Sequence, residues 1–325
     1  MGRHGGSMKE QELTFIDLFA GCGGMSAGLE NAGFKCIGFV EFWQPAIDTH
    51  LNNCEGILIG KDILQIKDKE LDKFKGKVDL ICGGPPCQGF SMAGKRDPKD
   101  PRNKLFLEFI RFIRIIQPKF FVMENVYGIG SMKNPEGESV FREIMMLFKK
   151  EGYEVEAKVL NSSNYNVPQK RQRAIFMGNR IGVENQYPEF QGKKFLKEIL
   201  DLPYEEIEEK QHIYEKPKNP QNYKYSHVKE GSNYGLFKSM NKKLNSNGFS
   251  CTITKSGRYI HPEYNRFVSV RECARIQGFP DDFKFVGSMR QMYQQIGNAV
   301  PVGMAEAIGR SIMEVLNEQN KNASD

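Results

Sequence analysis

The sequence predicts an α/β protein, in which a doubly wound, mostly parallel sheet is joined to a smaller, loop-rich region. Three observations carry this prediction. Short apolar runs alternate with amphipathic segments over residues 13–180, the rhythm of strands and crossover helices. Glu41, Asp62, Cys87 and Glu124 fall at the carboxyl ends of four of those runs, where open α/β sheets bind ligands. After residue 180 the periodicity fades, and basic, aromatic and small polar residues intermingle.

Residues 13–19 form an apolar run that ends in Ala20-Gly21-Cys22-Gly23-Gly24, and residues 25–32 then take a helical pattern. Strand, glycine turn, helix is how a nucleotide-binding βαβ unit opens. A dinucleotide fingerprint would need a glycine at position 26, where Ser26 stands. The second strand, 35–40, leads to Glu41, placed to accept hydrogen bonds from a ribose diol. Phe42 follows, with a flat face for an adenine.

A third run, 56–60, leads to Asp62 and Ile63. The fourth, 78–82, enters Gly83-Gly84-Pro85-Pro86-Cys87-Gln88, where two prolines stiffen the backbone ahead of a thiol. Residues 91–104 carry five basic and two acidic side chains, a loop suited to closing over an anionic ligand. Helical periodicity over 105–116 precedes a fifth strand, 120–123, with Glu124-Asn125-Val126 at its end. An amphipathic helix over 139–150 is followed by two more strands, 155–160 and 174–178. Between those strands lies Gln169-Lys170-Arg171-Gln172-Arg173. Further on, 271–276 is helical, 295–301 reads as another glycine turn, and a last helix runs to about residue 317.

Composition bounds the function. The chain has 325 residues, 39% hydrophobic and 26% charged, enough for a core under a wet surface. No run approaches the ~20 apolar residues that span a bilayer. Residues 1–7 read as a leader ahead of Met8. The seven cysteines are odd in number and lack Cys-x-x-Cys spacing, which argues against a disulfide framework or a metal site and for the cytoplasm. Net charge is +6, but residues 211–260 alone hold nine Lys or Arg against two Glu. Tyrosines are interspersed there, and charge with rings suits nucleic acid.

The residues also bound the chemistry. Cysteine acts as a thiolate. A cysteine–histidine hydrolase fits poorly, because none of the five histidines lies in a strand-end motif. A thiolate can instead add to C6 of a cytosine and turn C5 into a nucleophilic enamine carbon. Charge then develops at N3 and O2. A protonated Glu124 can donate to N3, and Arg173 can hold O2.

Six segments together carry a resemblance. Phe19-x-Gly21-x-Gly23-Gly24, Pro85-Pro86-Cys87-Gln88, Glu124-Asn125-Val126 and Gln169-x-Arg171-x-Arg173 are four of them. Arg271-Glu272-x-Ala274-Arg275-x-Gln277-Gly278-Phe279-Pro280 and Gly297-Asn298-Ala299-Val300-Pro301 complete the set. In this order they resemble the motifs of the DNA (cytosine-5) methyltransferases, with the bacterial restriction-modification enzymes nearest in size.

The resemblance implies a Rossmann-like fold dependent on S-adenosylmethionine, which leaves as S-adenosylhomocysteine, with no metal. It implies a discontinuous catalytic domain of residues 8–180 plus 290–320 and a target recognition domain of residues 181–289. Cofactor contacts map onto Phe19, Ala20, Gly21, Gly23, Gly24, Glu41, Phe42, Asp62, Ile63, Leu105, Asn298 and Ala299. Trp43 stands one residue past Phe42, so either ring can be the one that stacks. Cys87 maps onto the nucleophile on its Pro86 loop, Glu124 onto the N3 partner, and Arg173 with Arg171 onto the base-holding arginines. Gln88, Ser91, Lys95, Arg96, Lys224, Lys242, Lys243, Thr252 and Arg258 are expected to face double-stranded DNA. The family extrudes its target base from the duplex. A monomer and a companion restriction endonuclease fit the same context. Two alternatives stay open: a transfer-RNA methyltransferase of the same fold, and a catalytically silent DNA-binding relative.

Overall fold

The computed structural model describes residues 12–86, 105–133, 137–200, 242–255, 259–263 and 267–322. Its strands are β1 (Thr14–Leu18), β2 (Lys35–Val40), β3 (Ile57–Gly60), β4 (Leu80–Gly83), β5 (Phe120–Val126), β6 (Glu154–Asn161) and β7 (Gln172–Asn179), with a short pair β8 (Lys242–Lys243) and β9 (Tyr259–Ile260). The helices are α1 (Gly24–Asn31), α2 (Gln44–Asn53), α3 (Asp68–Leu71), α4 (Leu105–Ile116), α5 (Val140–Lys150), α6 (Lys197–Leu200), α7 (Val270–Gln277), α8 (Met289–Asn298) and α9 (Val302–Asn322).

The sheet order is β3-β2-β1-β4-β5-β7-β6. Strands β1 to β5 pair in parallel, while β7 enters antiparallel between β5 and β6. This mostly parallel, seven-stranded mixed sheet with helices is the S-adenosylmethionine-dependent methyltransferase fold. Helices cover both faces, and the strands alternate between them. In β5, Phe121 and Met123 join the layer of α4 and α5, whereas Phe120 and Val122 join that of α1 and α9. The C-terminal helix α9 therefore packs on the first helix, with Met304, Ala305 and Ile308 against Met25 and Leu29 in one core. A third apolar cluster joins α6, α7 and α8 to Leu244, Ile253 and Tyr259.

Two segments differ from what the sequence predicts. Glu124 lies inside β5 rather than beyond it, because the antiparallel pairing with β7 continues through Glu124↔Ile175 to Val126↔Arg173. Pairing with β4 stops earlier, at Gly83↔Met123. Residues 295–298 of the expected glycine turn are the last turn of α8, and the chain leaves the helix at Ala299. Gly297 is there for close approach: a Cβ would overlap the Thr254–Lys255 peptide. Gly297→Ala is therefore expected to destabilise the fold. Helix propensity alone would favour alanine by about 1 kcal/mol, but a clash with backbone costs about 1–3 kcal/mol. A lowered urea midpoint at unchanged slope checks this, and a raised midpoint would mean that the 254–255 segment moves aside.

Candidate active site

The carboxyl ends of β1 and β2 build one corner. Phe19 and Gly21 both take left-handed backbone, with φ of 59° and 56°. That bend aims the Gly21 amide at Glu41, whose Oε2 accepts from it at 2.9 Å. Oε1 accepts from Phe42 and Trp43 amides at 3.0 and 2.8 Å. Burial pushes the Glu41 carboxyl above its ordinary range, and these three amides offset only part of that rise. The carboxylate is thus fixed at the mouth of the turn. A Cβ at Gly21 would meet nothing within 4 Å, so the outer side of the turn is open. Phe42 beside it is 76% exposed, while Trp43 is half-buried at the start of α2.

Neighbouring elements extend this corner. Asp62 Oδ1 accepts from the Leu64 amide at 3.0 Å, which caps the short 3-10 turn Ile63–Gln65. Arg111 on α4 donates to the Ile63 carbonyl at 2.9 Å and so pins that turn to the helix that begins at Leu105. From the far end of the chain, the Val300 carbonyl and the Ala299 side chain pack on Gly24, with Asn298 exposed beside them at the end of α8. Phe19, Ala20, Gly21, Gly23, Gly24, Glu41, Phe42 and Ala299 thus lie at one turn, with Asn298 next to Ala299 in the chain and Asp62 and Ile63 just past β3; Leu105 opens α4, the helix that carries Arg111.

The second corner lies between β4 and β5. Arg173 Nε stands 2.6 Å from Glu124 Oε1, and the two side chains are only 15% and 14% exposed. They sit diagonally across the antiparallel pair, since Glu124 opposes Ile175 two residues along from Arg173. Gly84 touches the same carboxylate: a Cβ there would be 3.1 Å from Glu124 Oε2. Asn125 Nδ2 donates to the Pro85 carbonyl at 3.2 Å and braces the chain as it enters Pro86. Cys87, Gln88, Ser91, Lys95 and Arg96 lie outside the described residues.

Arg171 is directed elsewhere. It is 3% exposed, and its Nη1 donates to the carbonyls of Ile253 and Gly297 at 3.0 and 3.1 Å. Gln169 joins this seam: its Nε2 donates to Gln277 Oε1 at 2.6 Å, and its Oε1 accepts from the Ile253 amide at 2.7 Å. Gln277 in turn donates to the Ile296 carbonyl at 2.6 Å. The structural use of both glutamines is a feature that motif spacing alone does not reveal. Thr252 donates to the Lys170 carbonyl at 2.9 Å. Lys242 and Lys243 form β8, while Lys224 and Arg258 lie outside the described residues.

Among the described residues, no group of three or more His, Cys, Asp or Glu side chains could hold a metal ion, and no helix is long and apolar enough to cross a membrane.

Residues 13–314 match the C-5 cytosine-specific DNA methylase family. The Type II methyltransferase M.DdeI of Desulfomicrobium norvegicum is 35% identical over 371 residues, which cover 92% of this chain and 88% of that protein. The Type II methyltransferase M.FnuDI of Fusobacterium nucleatum is 37% identical over 346 residues, with 95% and 96% covered. Among solved structures, a DNA modification methyltransferase encoded within a prophage (E. coli) superposes with a TM-score of 0.76 at 26% identity, covering 94% of this chain and 100% of that one.

Proposed function

The chain belongs to the C-5 cytosine-specific DNA methylase family, and on that premise we propose that it methylates C5 of a cytosine extruded from duplex DNA, through a bond between Cys87 and C6. S-adenosylmethionine, when bound, supplies an electrophilic methyl group and leaves as S-adenosylhomocysteine. The open glycine turn, the fixed Glu41 carboxylate and the exposed Phe42 ring fit that cofactor. Glu41 would hold the ribose hydroxyls, Phe42 the adenine, and the amides of the 19–24 turn the amino-acid end.

The observation that carries the chemistry is the Arg173–Glu124 pair at 2.6 Å, set against Gly84 at the entrance to the Pro85-Pro86-Cys87 loop. The Cys87 thiolate adds to C6, and electron density moves to C5. Glu124 donates to N3 and Arg173 holds O2 while charge develops on the ring. C5 then takes the methyl group, loses its proton to a base, and the C6–sulfur bond breaks to restore the aromatic ring. Pro86 limits the backbone freedom of the nucleophile. Arg171 acts as a strut behind Arg173. Residues 181–289, including Thr252 and Lys243, would supply DNA recognition. The setting we propose is a monomer in the bacterial cytoplasm, with a companion restriction endonuclease whose cleavage the methyl group blocks.

Three measurements test this. Glu41→Ala should weaken S-adenosylhomocysteine binding in calorimetry by about 1.5–3 kcal/mol, the scale of a hydrogen bond to a charged group. Unchanged affinity would remove Glu41 from the ribose site. Methyl transfer to duplex DNA and to transfer RNA, assayed side by side, should label only the DNA, and bisulfite sequencing should find 5-methylcytosine within one sequence. Label in the RNA would favour the transfer-RNA reading. Absence of any product would favour a silent DNA-binding relative.

A further inference from the structure

A buried polar chain runs beneath the glycine turn, through groups that the proposed chemistry does not use. Asp17 on β1, Ser26 in the first turn of α1 and His50 on α2 are all essentially without solvent contact. Ser26 Oγ donates to Asp17 Oδ2 at 2.7 Å, and His50 Nε2 lies 3.0 Å from the same hydroxyl oxygen. Phe39 stacks on the imidazole, with ring centroids 3.8 Å apart. Gly23 rests directly on it: a Cβ there would stand 3.1 Å from His50 Cδ2.

The protons in this chain can be ordered. Burial pushes the Asp17 carboxyl up to about 7, so it is a carboxylate above that pH; in that state the one hydrogen of the serine hydroxyl goes to Asp17. His50 Nε2 must then be a donor to Ser26 Oγ. Burial pulls the imidazole down to about 4, so the ring is neutral near pH 7 and carries a single N–H. Nδ1 is left as a bare lone pair, and Nδ1 indeed has no partner. The opposite order would bury an N–H on Nδ1 with nothing to accept it, the rarer and costlier defect. Ser26 serves the Asp17 carboxyl through its backbone N–H as well as its hydroxyl, beside the weak donor thiol of Cys82 on the paired strand. This also explains why a serine stands where a dinucleotide fingerprint would place glycine: the side chain is the centre of the contact.

We propose that Asp17, Ser26 and His50 are positioning residues for cofactor binding, a proton-ordered brace that holds the 19–24 turn in its binding shape. The brace ties together β1, α1 and α2, the three elements from which the turn and Glu41 hang. None of the three side chains reaches the reacting atoms, so the brace acts on cofactor affinity and not on the chemical step. The proposal rests on the turn being the S-adenosylmethionine site.

The test uses the full chain and S-adenosylhomocysteine as the probe. Nitrogen NMR of the wild type at a pH well above 7, where Asp17 is ionised, should find His50 as the neutral Nε2–H tautomer. Ser26→Ala should raise the dissociation constant by about tenfold, the scale of a lost buried hydrogen bond. It should raise KM for S-adenosylmethionine likewise, with kcat at saturation and DNA affinity kept. His50→Gln retains an N–H donor at the same reach and should stay within about threefold of wild type, whereas His50→Leu, which removes only the bond to Ser26, should exceed that without passing Ser26→Ala. The Ser26→Ala/His50→Leu double variant should be no worse than Ser26→Ala, because that substitution already removes both hydrogen bonds of the hydroxyl. An Nδ1–H or protonated His50, wild-type affinity in Ser26→Ala, or equal damage in the Gln and Leu variants would overturn the brace. The tautomer decides the matter even for a variant that fails to fold. No probe binding by the wild type would overturn the cofactor reading and the brace with it.

Discussion

Glu124→Gln is expected to lose about 10²–10⁴-fold in kcat, the usual contribution of a positioned acid, while S-adenosylhomocysteine binds as tightly as before. The substitution preserves shape but replaces the carboxyl that would serve N3. Arg173→Ala should lose about 10²–10³-fold, since one group that stabilises developing charge is removed. It also strips Glu124 of the guanidinium 2.6 Å away, so its loss of stability should exceed that of Glu124→Gln. The two residues touch, and both would act on the same ring. Their effects should therefore not multiply, and the double variant should be close to the worse single one. Single-turnover rates on duplex DNA measure this directly. A Glu124→Gln enzyme within a few-fold of wild type would mean that N3 is served by another group.

Much of the fold is legible in the sequence for a physical reason. Central parallel strands are buried on both faces, so β4 and the first four residues of β5 appear as apolar runs, and β1 as one interrupted by Asp17. Helices α4 and α5 carry wide apolar stripes. Helices α2 and α8 do not, because their buried faces include Thr49, His50 and Gln295. The polar residues that hide their periodicity are the ones that link them to the rest of the molecule. Their available signals are at the start: Pro45 in the first turn of α2, and the Ser288–Gln291 capping box of α8. The antiparallel place of β7 is equally hidden, since an apolar run has no direction.

The site divides in the same way. Glu41, Glu124 and Arg173 are legible because a polar residue next to a buried strand end needs a reason to be there. Arg171 is not separable from Arg173 by spacing. What distinguishes them is tertiary: the carbonyls that accept from Arg171 lie 82 and 126 residues away in sequence. Ser26 and His50 look like ordinary helix residues until α1 and α2 are packed beside β1, where they become the two ends of one hydrogen bond.

The covalent role of Cys87 is the central claim, and trapping tests it most directly. In normal turnover the proposed bond to C6 would be released once the C5 proton leaves. With 5-fluorocytosine at the target position, release would require loss of a fluorine cation, which is chemically prohibitive. The methyl group should therefore transfer once, and the protein should stay attached to the DNA. The adduct should require S-adenosylmethionine, survive denaturing electrophoresis and map to the peptide that contains Cys87. Cys87→Ser should give no stable adduct, because a hydroxyl of far higher pKa is a weak nucleophile at neutral pH. It should still bind duplex DNA, since Glu124, Arg173 and the recognition residues remain. A trapped complex on the wild-type protein that maps to Cys87 is the predicted result. Turnover by Cys87→Ala, or an adduct on Cys82, would contradict it.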